Sequence, residues 1–173
     1  KGLKEERSRS FNASVDWYHY FGDFQANLLV EGFYTKLSDP FVLTPPVKDP
    51  DGSAYLIQTR INGSGAKVYG GTLEGKVAYK DKVQLQAGLT LQRSICDSPE
   101  EWSADEEHLS EKERYSDKIL RTPDVYGYFT ATYMPVKAFS IALNGNYTGR
   151  MYVPHLLSEV NGEADVLVKS PDF

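Results

Sequence analysis

No run of apolar residues in this chain is more than a few residues long, whereas an α-helix needs about 20 to cross a bilayer, so a helical membrane protein is excluded. Basic residues are also scarce. With 19 Lys and Arg against 24 Asp and Glu the formal net charge is −5, and no cluster of cations along the sequence interrupts that balance. A nucleic-acid partner, whose phosphates need a basic face, is therefore set aside. There is one cysteine, Cys96. It has no partner for an internal disulfide, and its polar surroundings read as those of a chance thiol.

Signatures of chemistry are missing as well. His19, His108 and His155 lie far apart with no second ligand at metal spacing, and each reads as a surface or rim residue. Gly63-Ser64-Gly65 lacks the outer glycines of a nucleophile elbow, and the stretch from Gly63 to Gly71 lacks the lysine and strand context of a phosphate loop. The chain reads as a non-enzyme, with no cofactor and no metal site.

What the sequence does have is alternation. Phe11, Ala13, Val15 and Trp17 alternate with Ser10, Asn12, Ser14 and Asp16, a period of two that defines a strand with one apolar face. After Phe21-Gly22-Asp23 the pattern resumes with Phe24, Ala26, Leu28, Val30 and Tyr34 against Gln25, Asn27, Glu31 and Thr35, which makes a hairpin. A third strand spans Ala66 to Lys80. A fourth alternates Val83, Leu85, Ala87, Leu89 and Leu91 with Gln84, Gln86, Thr90 and Gln92, a fifth carries Val125, Phe129, Ala131 and Tyr133, and a sixth runs from Ala138 to Met151. The prolines between Ser38 and Ala54 have no amide to donate to a ladder, so that segment is expected to be a long loop. A short extended arm is expected within Tyr55 to Asn62 and a short strand over Ala164 to Val168.

Connections alternate strictly. They are short at residues 21–23, 81–82 and 135–137, and long at 38–65, 95–124 and beyond Met151. Outer-membrane barrels have short periplasmic turns and long outer loops, and a tilted strand needs about 9 to 11 residues to cross, close to the length of the alternating stretches here. The expected fold is all-β, an antiparallel up-and-down meander of about six strands forming part of a transmembrane β-barrel. The 12 tyrosines and the remaining aromatics gather near strand ends. Trp17, Tyr18, Tyr20, Phe21, Phe24, Tyr79, Tyr133 and Phe139 fall toward the short turns, and Phe33, Tyr34, Tyr69, Tyr126, Tyr128, Tyr147 and Tyr152 toward the long loops, as two interfacial girdles would.

Among residues near the rim, Tyr126, Tyr128, Arg150, Tyr152 and Trp102 are the candidates to contact a ligand, because planar rings and a fixed guanidinium suit chelates and macrocycles. They serve equally well as girdle residues. The acidic stretch from Asp97 to His108 offers carboxylates to a cation or a basic chelate; Ser98 as N-cap, Pro99 and Glu101 also form a capping box that accounts for the same acids through a short helix.

Several segments resemble the barrel of TonB-dependent receptors. Leu3-Lys4-Glu5-Glu6-Arg7-Ser8 resembles the opening of mid-barrel strands in that family, and Leu29-Val30-Glu31-Gly32-Phe33-Tyr34 a strand ending in an aromatic pair. Gly65 to Gly75 resembles the glycine and glutamate strand that follows, and Arg121-Thr122-Pro123-Asp124 the signal at which a strand descends from an outer loop. Asn62-Gly63-Ser64-Gly65 and Thr132-Tyr133-Met134-Pro135-Val136-Lys137 are similar in style to receptors of Bacteroides-like bacteria. The resemblance implies a barrel of about 22 strands with a plugged lumen, of which residues 1–173 are one segment, with the plug domain, signal peptide and closing strands lying outside it. It implies the outer membrane of a Gram-negative bacterium, contact with outer-membrane lipid, energy coupling to the inner-membrane protein TonB through the N-terminal plug, and import of a scarce bulky solute such as an iron chelate (a siderophore complex), haem or cobalamin. The alternatives are an outer-membrane adhesin or structural barrel, and a soluble carbohydrate-binding β-sandwich in which the Phe11, Leu28, Leu85 and Leu143 stripes meet between two sheets.

Overall fold

The computed structural model describes residues 2–48, 50–51 and 56–173. In chain order its strands are β1 (Arg7–Phe21), β2 (Phe24–Ser38), β3 (Phe41–Leu43), β4 (Val47–Lys48), β5 (Leu56–Ile57), β6 (Arg60–Asn62), β7 (Ala66–Tyr79), β8 (Val83–Glu101), β9 (Tyr115–Lys118), β10 (Val125–Val136), β11 (Phe139–Thr148), β12 (Tyr152–His155) and β13 (Val166–Lys169). Two helices of a single turn, α1 (Glu111–Arg114) and α2 (Ser158–Asn161), lie in the loops. The six long strands form one sheet in the order β1-β2-β7-β8-β10-β11, an antiparallel meander with β9 added beside β8. The expected six strands and their order are those observed.

Register explains why the sheet has two unlike faces. Val15, Val30, Leu73 and Leu89 share one cross-strand row, and Trp17, Leu28, Gly75, Ala87 and Phe129 share the next. Ala26, Val77, Leu85, Ala131 and Leu143 follow, and Phe24, Tyr79, Val83, Tyr133 and Ile141 lie nearest the turns. Side chains directly opposite one another stand on the same face, so these rows make a continuous apolar surface. The intervening rows are polar: Tyr18, Asn27, Lys76, Gln86, Thr130 and Asn144 form one of them.

The apolar surface is not covered. Phe11 is 70% exposed, Leu28 42%, Leu85 51% and Leu143 61%, and Ala66 is the one buried apolar residue among those described. A sandwich within this chain would bury these stripes between two sheets, so that alternative is overturned.

Each short connection has its own chemistry. Gly22 turns β1 into β2 at φ 62, a conformation that costs an L-residue roughly 1–2 kcal/mol. Lys80, at φ 49, donates its amide to the Asp23 carbonyl at 3.0 Å and its Nζ to Asp23 Oδ2 at 3.0 Å, tying neighbouring turns together. The β10–β11 pairing shifts register between Tyr133 and Val136, at Pro135, which has no amide to give. A Cβ at Gly22 meets no atom within 4 Å, so G22A tests backbone conformation alone. It should lower stability by about 1 kcal/mol, read as a shift in denaturant midpoint with unchanged m-value.

Two expectations are corrected. Ser98, Pro99 and Glu101 do not start a helix: β8 runs through them to Glu101, because Glu100 and Glu101 pair with Ser116 and Tyr115 of β9. Pro99 sits in the irregular stretch between Ile95 and Glu100, where a missing amide is tolerated. The capping box forms instead at Ser110, whose amide and hydroxyl donate to Glu113 Oε2 at 3.0 and 2.6 Å, ahead of α1. The girdle assignment also fails in part. Tyr18, Tyr20, Phe33, Tyr126 and Tyr128 pair with residues of the polar rows, such as Asn27, Gln25, Asn12, Thr90 and Gly88, so they belong to the polar face.

Candidate functional site

The long connections are folded structures rather than open loops. The β2–β7 connection carries two ladders, β3 with β6 and β4 with β5, and the chain after β11 closes on itself through β12 and β13. Between the two ladders of the first, the Thr44 amide donates to the Thr59 carbonyl at 2.9 Å and the Thr59 amide returns to Thr44 Oγ1 at 3.0 Å. Neighbouring connections touch: Ser64 Oγ donates to the Ser98 carbonyl at 3.2 Å, and the Arg121 amide to the Tyr152 carbonyl at 2.8 Å.

Between them lies a cavity of about 410 Å³, lined mainly by apolar side chains such as Val42, Pro45, Trp102, Ile119 and Leu156, with Arg121 and Glu101 also in its wall. Three further lining residues, Leu37, Ala66 and Cys96, form one cross-strand row. Their positions alternate with the apolar rows, so they stand on the polar side of the sheet, and the cavity lies at the outer end of that side.

The five rim candidates separate into four places. Trp102 lines the apolar cavity, with its indole Nε1 donating to the Glu113 carbonyl at 2.9 Å. Arg150 and Tyr152 line a second, more polar cavity of about 540 Å³ with Lys118, Asp124, Lys169 and Asp172, where Arg150 Nε lies 3.7 Å from Asp172 Oδ1 and Lys169 Nζ 5.2 Å from the Tyr152 ring centre. Tyr126 lines a hollow of about 350 Å³ on the polar face with Glu31, Thr72 and Gln92. Tyr128 lies beyond that hollow. Its hydroxyl accepts from Gln86 Nε2 at 2.9 Å, the same amide that donates to Glu74 Oε1 at 2.8 Å, and its ring occupies the space a Cβ at Gly88 would fill. His19 stands apart from all of these, between Trp17 and Phe21 on the apolar face.

A buried latch joins two of the outer connections. Ser103 is fully buried, and Asp105 and Asp165 are 5% and 3% exposed. Asp165 accepts from the Ser103 hydroxyl at 2.6 Å and from the amides of Leu157 and Ser158 at 2.7 and 2.8 Å. Asp105 accepts from the Asp165 amide at 3.0 Å and from the His108 amide at 3.1 Å, with His108 Nδ1 2.9 Å from Asp105 Oδ1. A buried carboxylate persists when donors surround it, and here they do. The sequence does not pair the two aspartates, because sixty positions apart they share no local spacing that would announce the contact.

Titration of the latch has a definite sign. Burial pushes the carboxyls of Asp105 and Asp165 up, but their hydrogen bonds together outweigh it and leave both below the ordinary carboxylate range. The hydrogen bond with Asp105 holds His108 above the ordinary imidazole value, against the opposing effect of burial. The aspartate contribution is thus present above about pH 4 and lost as pH falls through the lowered values, while that of His108 is complete below about 6.5 and lost as pH rises through its raised value. Protection of the Asp165 amide against hydrogen exchange, corrected for intrinsic rate, should peak between about pH 4 and 6.5. A flat profile would show that the latch does not titrate as described.

Six antiparallel strands with one apolar and one polar face, short turns at one end and folded outer connections at the other, define a segment of a transmembrane β-barrel. The family model described as "TonB dependent receptor-like, beta-barrel" matches residues 1–165, and the chain belongs to that family. No curated protein sequence matches it. Two solved structures of the FrpB iron transporter from Neisseria meningitidis are similar in fold. The F3-3 variant gives a TM-score of 0.54 at 16% identity and the F5-1 variant in its apoprotein form 0.52 at 18%, with 99% of this chain covered in both. The chain spans about a quarter of each transporter, 24% and 23% respectively.

Proposed function

We propose that this chain is the barrel portion of a TonB-dependent transporter in the outer membrane of a Gram-negative bacterium, importing a scarce, bulky solute by energy-coupled transport. The observation that carries the reading is the in-register division of all six long strands into an uncovered apolar face and a polar face. Lipid meets the first and a hydrated passage runs along the second. The outer cavities lie where a solute would arrive, and Trp102, Arg150, Tyr152 and Tyr126 are the side chains offered to it, with Tyr128 further along the passage. Since the similar structures are iron transporters by name, an iron chelate is the first solute to test, then haem and cobalamin. TonB engages through a plug domain in the longer protein.

The test is uptake of each labelled solute by cells carrying or lacking the intact gene, with and without TonB. Accumulation that requires both supports the reading. Accumulation independent of TonB for every solute, or an intact protein without a plug, would remove it.

A further inference from the structure

The cations of this chain are scattered along the sequence, yet the register of β1, β2, β7 and β8 gathers five of them on one patch. Arg9, Lys36 and Lys67 form a single cross-strand row. The next row inward holds Phe11, Tyr34, Tyr69 and Arg93, and Arg7 stands two residues outward of Arg9 on the same strand. These positions continue the alternation of Val15, Val30, Leu73 and Leu89, so all five cations project from the apolar face, at its outer end.

Acids offset the patch only in part. Asp97, on the same face, lies 2.7 Å from Lys67 Nζ and 3.6 Å from Lys36 Nζ, and Glu5 pairs with Arg7. Among the described residues no carboxylate lies within 4 Å of the guanidinium of Arg9 or Arg93. A local positive excess in a chain of net charge −5 is not what a surface meeting only water requires. Directly inward, Phe11, Val15, Tyr34 and Tyr69 offer rings and hydrocarbon, all 40% exposed or more. A ligand that matches both parts carries a phosphate at one end and acyl chains at the other. Guanidinium forks suit phosphate oxygens, and basic residues just outside the hydrocarbon layer attract anionic headgroups.

We propose that Arg9, Lys36, Lys67 and Arg93 form a binding site for the phosphorylated headgroup of an outer-leaflet lipid, whose acyl chains lie along the Phe11–Tyr34–Tyr69 row. The inference rests on the reading of the apolar face as lipid-facing, and goes beyond it by assigning a site and a headgroup chemistry. Bound there, the lipid bridges four consecutive strands at the level where the outer connections begin.

The test uses the intact protein in phosphatidylcholine nanodiscs doped with either bis-phosphorylated lipid A or the same lipid dephosphorylated, with retained lipid counted by native mass spectrometry. The phosphorylated form should be retained at least about tenfold over the other. The double variant R9Q/R93Q should lose about tenfold or more of that retention, as removal of two near-surface cations predicts. The charge-matched double variant K76Q/K82Q, which alters the polar face and a short turn, should keep it. Equal retention of both lipids, or equal losses in the two double variants, would overturn the site while leaving the membrane reading intact. Failure of the wild-type protein to enter even undoped phosphatidylcholine would overturn both.

Discussion

Arginine at Leu143 should destabilise the intact barrel by about 2–4 kcal/mol, the cost of placing that side chain on the lipid face near mid-membrane, whereas arginine at the adjacent Asn144 should change stability by less than about 1 kcal/mol. The two residues are neighbours on β11, both exposed, and differ in face: Leu143 is opposite Ala131 in an apolar row and Asn144 opposite Thr130 in a polar one. Local strand propensity and edge effects are nearly common to both, so the difference isolates what each face touches. Reversible unfolding in phosphatidylcholine, followed by tryptophan fluorescence, reads it directly. Equal effects would mean that both faces meet the same medium, and the barrel reading would lose its physical basis.

The second large effect concerns the latch. D165A leaves the buried Ser103 hydroxyl and the amides of Leu157 and Ser158 without their acceptor, and each buried donor stranded in this way costs about 1–3 kcal/mol. The two outer connections should therefore part locally. Hydrogen exchange at Leu157 and Ser158 should rise by a hundredfold or so, while the halves of β2 and β7 next to the short turns, at the opposite end of the sheet, keep their protection. D165N, which retains one carbonyl oxygen but not the charge, should fall between. Loss of protection throughout the sheet would mean that the latch holds up the whole barrel rather than its outer end.

The parts of this fold that could be read from sequence are those governed by a period. Val83 to Gln92 alternates without a break and cannot be helical, and each short turn is announced by Gly22-Asp23, Asp81-Lys82 or Pro135. A period of two also gives the face of each side chain once the register is known. It says less about tyrosine, which suits either face, so the sequence is equally compatible with Tyr126 and Tyr128 in the girdle or among the ligand-contacting residues. The outer connections were harder still. Ser98, Pro99 and Glu101 satisfy a helix-start pattern locally, but the segment is drawn into the sheet by β9, a partner that lies later in the chain. The Asp105–Asp165 contact and the Arg9–Lys36–Lys67 row depend on pairing between distant segments, and nothing local in the chain records them.

The meander also bears on how such a sheet comes into being. Every long strand is bonded to the long strand that precedes it, so the sheet can be assembled in the order in which it is synthesised, with no strand waiting for a partner made much later. The ladders of β3 with β6 and β4 with β5 help at the step where β7 must find β2 across a long connection. By zipping the intervening chain from its middle, they reduce the length of free chain whose ends must find each other, so an ornament of the outer surface doubles as a guide for building the wall beneath it.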